Sequence, residues 1–120
     1  MNEIVLPWPD RALHPNARCH WSRKAKAAKA ARMVGFVLAR QAGWRSLSLP
    51  DGDIHLRIEG YPPVVRKRDA DGLLSSCKPA LDGIADSLGI DDSRFVPHPR
   101  VMPEIRKGGE VRIWIDLEGV

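Results

Sequence analysis

The stretch Gly72–Gly89, GLLSSCKPALDGIADSLG, carries the clearest structural pattern in the chain. Its apolar residues recur every three or four positions, which predicts an α-helix over Gly72–Leu88 that ends at Gly89. The buried stripe consists of Leu73, Cys77, Leu81, Ile84 and Leu88, with Leu74 and Ala80 beside it. Pro79 lies inside this helix and has no backbone N–H, so we expect a kink or a restart near residues 76–78.

Strands are predicted on both sides of this helix. Asp53–Tyr61 and Glu110–Glu118 alternate apolar and polar residues, the pattern of half-buried strands. Prolines indicate that Ile4–Trp8 lies at an edge or an end of the sheet and that Arg94–Met102 is an irregular edge strand. The predicted fold class is α+β, with a small mixed β-sheet packed by two main helices.

A basic segment supplies the other predicted helix. After a loop, Ser22 is the expected N-cap of a helix over Arg23–Gln41, and Gly43 is its stop signal. We expect Met33 in the core, together with Phe36 and an apolar stripe of Ala27, Ala30, Ala31, Val34, Val37 and Leu38. The tryptophans Trp8, Trp21, Trp44 and Trp114 are predicted to be core or interface residues. At 120 residues, the chain is predicted to be a single domain spanning residues 1–120.

The composition argues against several protein classes. No apolar run approaches the roughly 18–20 residues that span a bilayer, so we expect no membrane association. The segment MNEIVLPWPD does not resemble a signal peptide, and Cys19 and Cys77 form no CxxC motif. We therefore expect a cytoplasmic protein with reduced thiols. A zinc site built from Cys19, His20 and His14 would match no common ligand spacing.

The charge is distributed unevenly, although the net charge is only +4. Nine Lys or Arg residues and no acid lie between Arg11 and Pro50, whereas six of the fifteen acids lie between Asp69 and Asp92. The basic half is typical of a surface that binds a polyanion. The acidic region could hold a metal cation.

The acids can be brought together by the predicted elements. In an extended segment, Asp69 and Asp71 would point the same way. A return strand that paired near Val64–Arg68 would place Asp91 and Asp92 beside them. Two carboxylates at 4 Å repel each other by about 4 kcal/mol at an effective dielectric near 20, so such a cluster favours a bound Mg²⁺ or Mn²⁺.

Ser75, Lys78, Asp82 and Asp86 follow helical spacing and are predicted to share the face opposite the apolar stripe. Ordinary alternatives remain for these charges. Lys78 and Asp82 could be a surface i, i+4 pair, Asp71 an N-cap, and the Asp91–Asp92 pair a polar turn. The lysines of the basic helix could simply be solvated.

Two motifs together resemble the RusA-type Holliday junction resolvases. The first is LPWP at Leu6–Pro9, followed by Asn16 and the basic helix. The second is RKRDADGLLSSCKPALDGIADSLGIDD at Arg66–Asp92, which is similar to that family's basic run, D-x-D, lysine, an Asp four residues later, and a D-D pair after a glycine. The KGG turn at Lys107–Gly109 and the closing strand also fit, so the resemblance spans nearly the whole chain.

The resemblance implies a RusA-like, homodimeric, Mg²⁺-dependent endodeoxyribonuclease (with Mn²⁺ as a possible substitute) that is encoded by a bacterium or a phage. It would resolve four-way DNA junctions by symmetric phosphodiester hydrolysis in recombination and repair. It further implies that Asp69, Asp71 and Asp92 are catalytic metal ligands, with Asp91 as a neighbouring ligand, Lys78 as the catalytic lysine and Asp82 as a supporting acid. The predicted DNA contacts are Lys24, Lys26, Lys29, Arg32, Arg66, Lys67, Arg68 and Asn16.

The chain departs from the family pattern at two points. Gly72 stands where the family has an asparagine after D-x-D, and the interval from D-x-D to Lys78 is about three residues longer. The alternative prediction is therefore a DNA- or junction-binding protein of the same fold with weak or no catalysis. A third hypothesis is a protein-interaction module whose charges are merely solvated.

Overall fold

The structure is a computed structural model, and it describes residues 3–117. Its long elements are β1 (Glu3–Pro7), α1 (Trp21–Gln41), β2 (Ile54–Tyr61), α2 (Ala70–Leu88), β3 (Phe95–Val101) and β4 (Glu110–Ile115). Short 3-10 turns cover Arg11–Leu13, Trp44–Ser46 and Asp92–Arg94. The predicted α+β class is thus confirmed. Neither α1 nor α2 has the length and apolar composition of a membrane-spanning helix.

The four strands form one mixed sheet in the order β1-β4-β2-β3. β4 pairs antiparallel with β1 and with β2, whereas β2 and β3 are parallel. Parallel strands need a long crossover connection, and α2 provides it between β2 and β3. The proline-containing strands β1 and β3 lie at the two edges, as predicted.

The core lies between the sheet and the two helices. Alternation along β2 buries Ile54, Leu56 and Ile58 completely, and Ile84 of α2 is buried equally well. Burying an isoleucine or leucine side chain contributes about 1.5–3 kcal/mol, so this face supplies much of the driving force for folding. Trp44 is also fully buried.

Several predicted boundaries of the elements are wrong by one to three residues. α1 begins at Trp21, because His20 is its N-cap and accepts the Ser22 backbone N–H on Nδ1 at 3.2 Å. α2 begins at Ala70, with Asp69 as the N-cap. The predicted last residue of the final strand, Glu118, lies outside the described residues.

α2 continues through Pro79 as one helix, so the restart that we considered does not occur. Cys77 and Ala80, on either side of the proline, are both buried, so the packed face holds the helix together across it. The carbonyl that loses its donor belongs to Ser75, four residues earlier, and Ser75 is exposed to water. The missing hydrogen bond can therefore be replaced by solvent.

The predicted apolar stripe of α1 is displaced. Gly35 and Ala39 are its buried residues, whereas Val37 is 40% exposed and Met33 is 60% exposed. Trp21 is 75% exposed as well, so neither it nor Met33 belongs to the core. The displacement arises because α1 approaches α2 too closely for large side chains to lie between the two helices.

Two glycines form this close approach. A Cβ atom built on Gly83 of α2 would lie 1.9 Å from the backbone oxygen of Arg32, and one built on Gly35 would lie 2.1 Å from the backbone oxygen of Ala80. Both distances are far shorter than van der Waals contact, and both obstacles are backbone atoms that cannot rotate away. The helices can therefore keep this separation only with glycine at these two positions.

We expect Gly83→Ala to destabilise the protein by about 1–3 kcal/mol or more, because overpacking forces the helices apart. Glycine-to-alanine exchange in an ordinary helix interior has the opposite effect, a gain of about 0.5–1 kcal/mol. Urea denaturation followed by circular dichroism measures the difference. Ser75→Ala, at an exposed position of the same helix, is the control. A Gly83→Ala protein as stable as the wild type would contradict the described packing.

Candidate functional site

A cavity of about 600 Å³ opens where the N-terminal end of α2 meets the loop that follows β1. It brings together residues from distant parts of the sequence, because Asn16, the Arg66–Arg68 run and Asp69 all line it. The other lining residues include Trp8, Pro9, Asp10, Arg11, His14, Leu73, Ser76 and Val101. The cavity therefore combines several cations with carboxylates, the imidazole of His14 and the indole of Trp8.

Asp69 has a structural role at the edge of this cavity. As the N-cap of α2, it accepts the Gly72 backbone N–H on Oδ1 at 2.6 Å. This bond satisfies one of the unpaired donors of the first helical turn and uses one of the two carboxylate oxygens. The second oxygen, Oδ2, is left for another partner.

Gly72, where the sequence departs from the RusA pattern that it resembles, has a steric explanation. A Cβ at this position would lie 2.7 Å from Oδ1 of Asp69 and 3.0 Å from Nε2 of His14. A larger residue would therefore displace the cap or the histidine. In this chain, Gly72 thus leaves room for Asp69 to cap the N-terminus of α2.

Asp71 lies in the first turn of α2 and not on an extended segment. The expected geometry, with Asp69 and Asp71 side by side through strand alternation, is therefore wrong. Asp71 is exposed, and no group within residues 3–117 forms a hydrogen bond or ion pair with its carboxylate. Its negative charge near the helix N-terminus is favourable, because it complements the helix dipole.

Arg68 is the most unusual cation of the cavity. Its guanidinium carbon lies 5.0 Å from the centre of the Trp8 ring, within range of a cation–π contact. Its Nε is buried and has no acceptor in the described part of the chain. Burial, followed by the neighbouring charge of Arg66, lowers the pKa of Arg68. A buried charged donor without a protein acceptor is rare, and it is the chemistry expected of an anion-binding site.

The second acidic group lies further along α2. Nζ of Lys78 donates to Oδ2 of Asp92 at 2.7 Å and lies 3.9 Å from Oδ1 of Asp82. Asp91 is the N-cap of the following 3-10 turn and accepts the Ser93 backbone N–H at 2.8 Å. Lys78 thus joins Asp82 and Asp92, and Asp91 lies beside Asp92 in sequence.

The carboxylates of this group have opposite pKa shifts. Burial, followed by the hydrogen bond with Asp92, raises the pKa of Asp82. The hydrogen bond from Lys78 lowers the pKa of Asp92. Lys78 itself has a raised pKa, because Asp92 stabilises its ammonium form.

The two acidic groups are separate. The predicted return strand beside Val64–Arg68 is wrong, because β3 pairs in parallel with β2. Lys78 lies seven residues after Asp71, which is two turns and about 10 Å along the same face of α2. Within residues 3–117, no cluster of three or more His, Cys, Asp or Glu side chains could hold a metal ion. Asp69 and Asp71 lie at the N-terminal end of α2, whereas Asp91 and Asp92 follow its C-terminal end.

The cations of α1 differ in whether they are paired within the protein. Lys24, Lys26 and Lys29 are exposed on α1. Arg32, by contrast, makes a two-pronged bond with Asp86 of α2, with Nε–Oδ2 at 2.6 Å and Nη2–Oδ1 at 2.9 Å. This bond raises the pKa of Arg32 and lowers the pKa of Asp86. Arg32 thus has a carboxylate partner inside the protein.

Sequence reasoning did not identify Trp8, Asp10, Arg11 or Ser76 as neighbours of the site. Trp8 and Asp10 lie in or beside LPWP, a motif that by itself does not indicate which residues its side chains contact. Their contribution depends on how the loop after β1 packs against α2, and no local sequence pattern encodes that packing.

The geometry defines a class: an α+β protein with a four-stranded mixed sheet and a cationic cavity at a helix N-terminus. No protein-family model matches the chain. An uncharacterized protein of Xylella fastidiosa (strain Temecula1) is 52% identical over 116 residues, which cover 96% of this chain and 76% of that protein. The chain therefore belongs to the same family as this Xylella protein.

Replacing Lys78 with methionine should raise the pKa of both Asp82 and Asp92, because Lys78 lowers both in the folded protein. In the wild type, the Lys78–Asp92 bond stabilises the fold above the ordinary pKa of the carboxyl group, and this contribution is lost as the pH falls through the lowered value. Carboxyl ¹³C NMR titration measures each group. Lys107→Met, at an exposed lysine elsewhere, should leave both values unchanged. Unchanged values in Lys78→Met would contradict the described contacts.

Proposed function

We propose that this protein is a metal-dependent endodeoxyribonuclease that acts on four-way DNA junctions, as the RusA resemblance implies. The observation that carries the proposal is the buried Nε of Arg68, which has no acceptor in residues 3–117 and lies in a cationic cavity beside Asp69. A phosphodiester is an anion with oxygen acceptors, and a guanidinium group recognises it well. The proposed substrate thus supplies the partner that Arg68 lacks.

The surrounding charges support a nucleic-acid substrate. Arg66 and Lys67 are exposed next to Arg68, and Lys24, Lys26 and Lys29 are exposed on α1. Contacts of this kind bind phosphates, raise affinity and carry little sequence information. Asn16 lines the same cavity and adds a neutral side chain that can donate to a phosphate or a base.

Asp69 and Asp71 fit a magnesium ion in their chemistry. Mg²⁺ is commonly held by one or two carboxylates, with waters and substrate phosphates completing its shell. Asp69 retains one free oxygen, and Asp71 is unpaired among the described residues. When bound, the metal would activate a water molecule and stabilise the leaving oxygen of the phosphodiester.

The other residues would position the substrate and balance charge. Arg68 would hold the phosphate, while Lys78 would offset the negative charge that develops on it. Lys78 is held by Asp92, with Asp82 close by, so these acids would fix the ammonium group on the exposed face of α2. The predicted metal-binding roles of Asp91 and Asp92 remain predictions, as do the homodimer and the cellular compartment.

One observation favours the second candidate, a junction-binding protein without turnover. Asp69 and Asp71 lie at the start of α2, whereas Asp91 and Asp92 follow its end, and no group of three His, Cys, Asp or Glu side chains in residues 3–117 could hold a metal ion. A protein that only binds would need the cationic cavity and α1, but no shared metal. The two candidates are separated by whether bound DNA is cut.

The first experiment measures Mg²⁺-dependent nicking of a synthetic four-way junction. Asp71→Asn should slow nicking by at least about 100-fold, since even outer partners of metal ligands typically contribute 10–100-fold. Asp51→Asn, the same exchange at an exposed turn, should cut like the wild type. Binding without nicking by the wild-type protein would reject the nuclease and leave the second candidate. Absence of salt-dependent binding would reject both and support a protein-interaction module.

The second experiment uses the Arg32–Asp86 pair. Asp86→Asn should release Arg32 and steepen the slope of log K against log salt by about 0.9, the value for one added phosphate contact. The double variant Arg32→Gln/Asp86→Asn should lose this gain, which separates a new Arg32 contact from the mere removal of an acid. An unchanged slope in Asp86→Asn would show that Arg32 does not face the DNA.

A further inference from the structure

The turn that follows β2 presents apolar side chains to solvent. Val65 is 89% exposed and Val64 is 50% exposed, and Ile105 in the neighbouring segment is 41% exposed. Single exposed apolar residues are common on protein surfaces. Two adjacent β-branched residues exposed at the end of a turn form a projecting apolar feature, here named the Val64–Val65 tip.

The two prolines that precede this tip are anchored to the rest of the protein. Pro62 and Pro63 restrict their own backbone angles, and the Arg106 backbone N–H donates to the Pro62 carbonyl at 3.0 Å. Pro63 also packs close to Gly109, where an added Cβ would lie 2.9 Å from Cδ of the proline. A segment that is anchored on one side loses less conformational entropy on insertion into a partner than a free one does.

The tip is continuous with the proposed DNA-binding residues. Val65 is followed directly by Arg66, Lys67 and Arg68, which line the cavity of about 600 Å³. Proteins that kink or open DNA combine these same parts, namely an apolar wedge between base steps and adjacent cations on the phosphates. The cavity also offers the Trp8 ring, and an aromatic ring can stack against an unpaired base.

We propose that the Val64–Val65 tip is a wedge that inserts at the branch point of the DNA and unstacks one base step, with the adjacent cavity receiving the displaced nucleotide. This inference rests on the proposed function and adds how the substrate is opened. A second copy of the chain is a poorer occupant of the tip. A symmetric contact through Val65 would bring Arg66 and Lys67 of both copies together, and like charges oppose such an interface.

The test measures base unstacking directly. A four-way junction carries 2-aminopurine at the branch point, and its fluorescence rises when the base leaves the stack. Binding is measured in EDTA, so that no strand is cut. The wild type should raise the fluorescence, and Val64→Ser/Val65→Ser should lose this rise. Its junction affinity should stay within about threefold of the wild type, because phosphate contacts dominate affinity.

Two controls accompany this variant. Val5→Ser makes the same exchange at a 42% exposed valine of β1 and should keep the full fluorescence rise. Trp8→Leu keeps an apolar side chain but removes the ring, and it should alter the fluorescence of the displaced base without restoring stacking. Circular dichroism verifies that each variant is folded.

Each of the following results would reject the proposed wedge, and each would point to a different cause. Wild-type binding without a fluorescence rise overturns it and leaves the proposed function intact. A double-serine variant that keeps the rise also overturns it. A double-serine variant that changes from dimer to monomer in sedimentation assigns the tip to a contact between copies. A wild type that binds no junction removes the proposed function together with the wedge.

Discussion

The separation of α1 and α2 is the constraint on which the rest of the structure depends. Gly35 and Gly83 allow backbone to contact backbone, so the two helices form one compact layer over the sheet. This contact places Arg32 of α1 within reach of Asp86. On the same helix, Lys78 is exposed to solvent and Asp82 beside it is half-buried. The candidate site therefore depends on the helix packing as much as on the charged residues themselves.

The cap of α2 joins folding to the proposed chemistry. Asp69 ends the basic run and begins the helix, and one of its oxygens is used by the Gly72 N–H. The requirement of the helix for a capping oxygen thus fixes the orientation of a carboxylate at the edge of the cationic cavity. Gly72 allows this arrangement, because a side chain there would meet both Asp69 and His14. Its small size is thereby explained by packing.

The cations of the described residues differ in whether a carboxylate of the protein pairs with them. Arg32 is paired with Asp86, and Lys78 is paired with Asp92. Arg68, in contrast, has its Nε buried without an acceptor among the described residues, and Arg66 and Lys67 are exposed beside it. The cations best placed for the proposed DNA substrate are consequently those next to the cavity. A count of lysines and arginines along the chain does not distinguish these two groups, because pairing depends on contacts between elements.

The sequence by itself determined the fold class, the edge positions of β1 and β3, and the face of α2 that carries Lys78 and Asp82. These features follow from local periodicity and from the missing N–H of proline. Both can be read directly from the amino-acid sequence. It also indicated that Asn16, Arg66–Arg68 and Asp69 belong to one site, and the cavity does bring them together.

Only the tertiary structure decided the features that depend on contacts between distant segments. The parallel pairing of β3 with β2 separates Asp91–Asp92 from Asp69–Asp71. The close helix contact displaces the buried face of α1 and leaves Met33 in solvent. Packing on both sides of Pro79 keeps α2 continuous. In each case the outcome depends on burial or on backbone contact between residues far apart in the chain. Such contacts cannot be predicted from the local sequence.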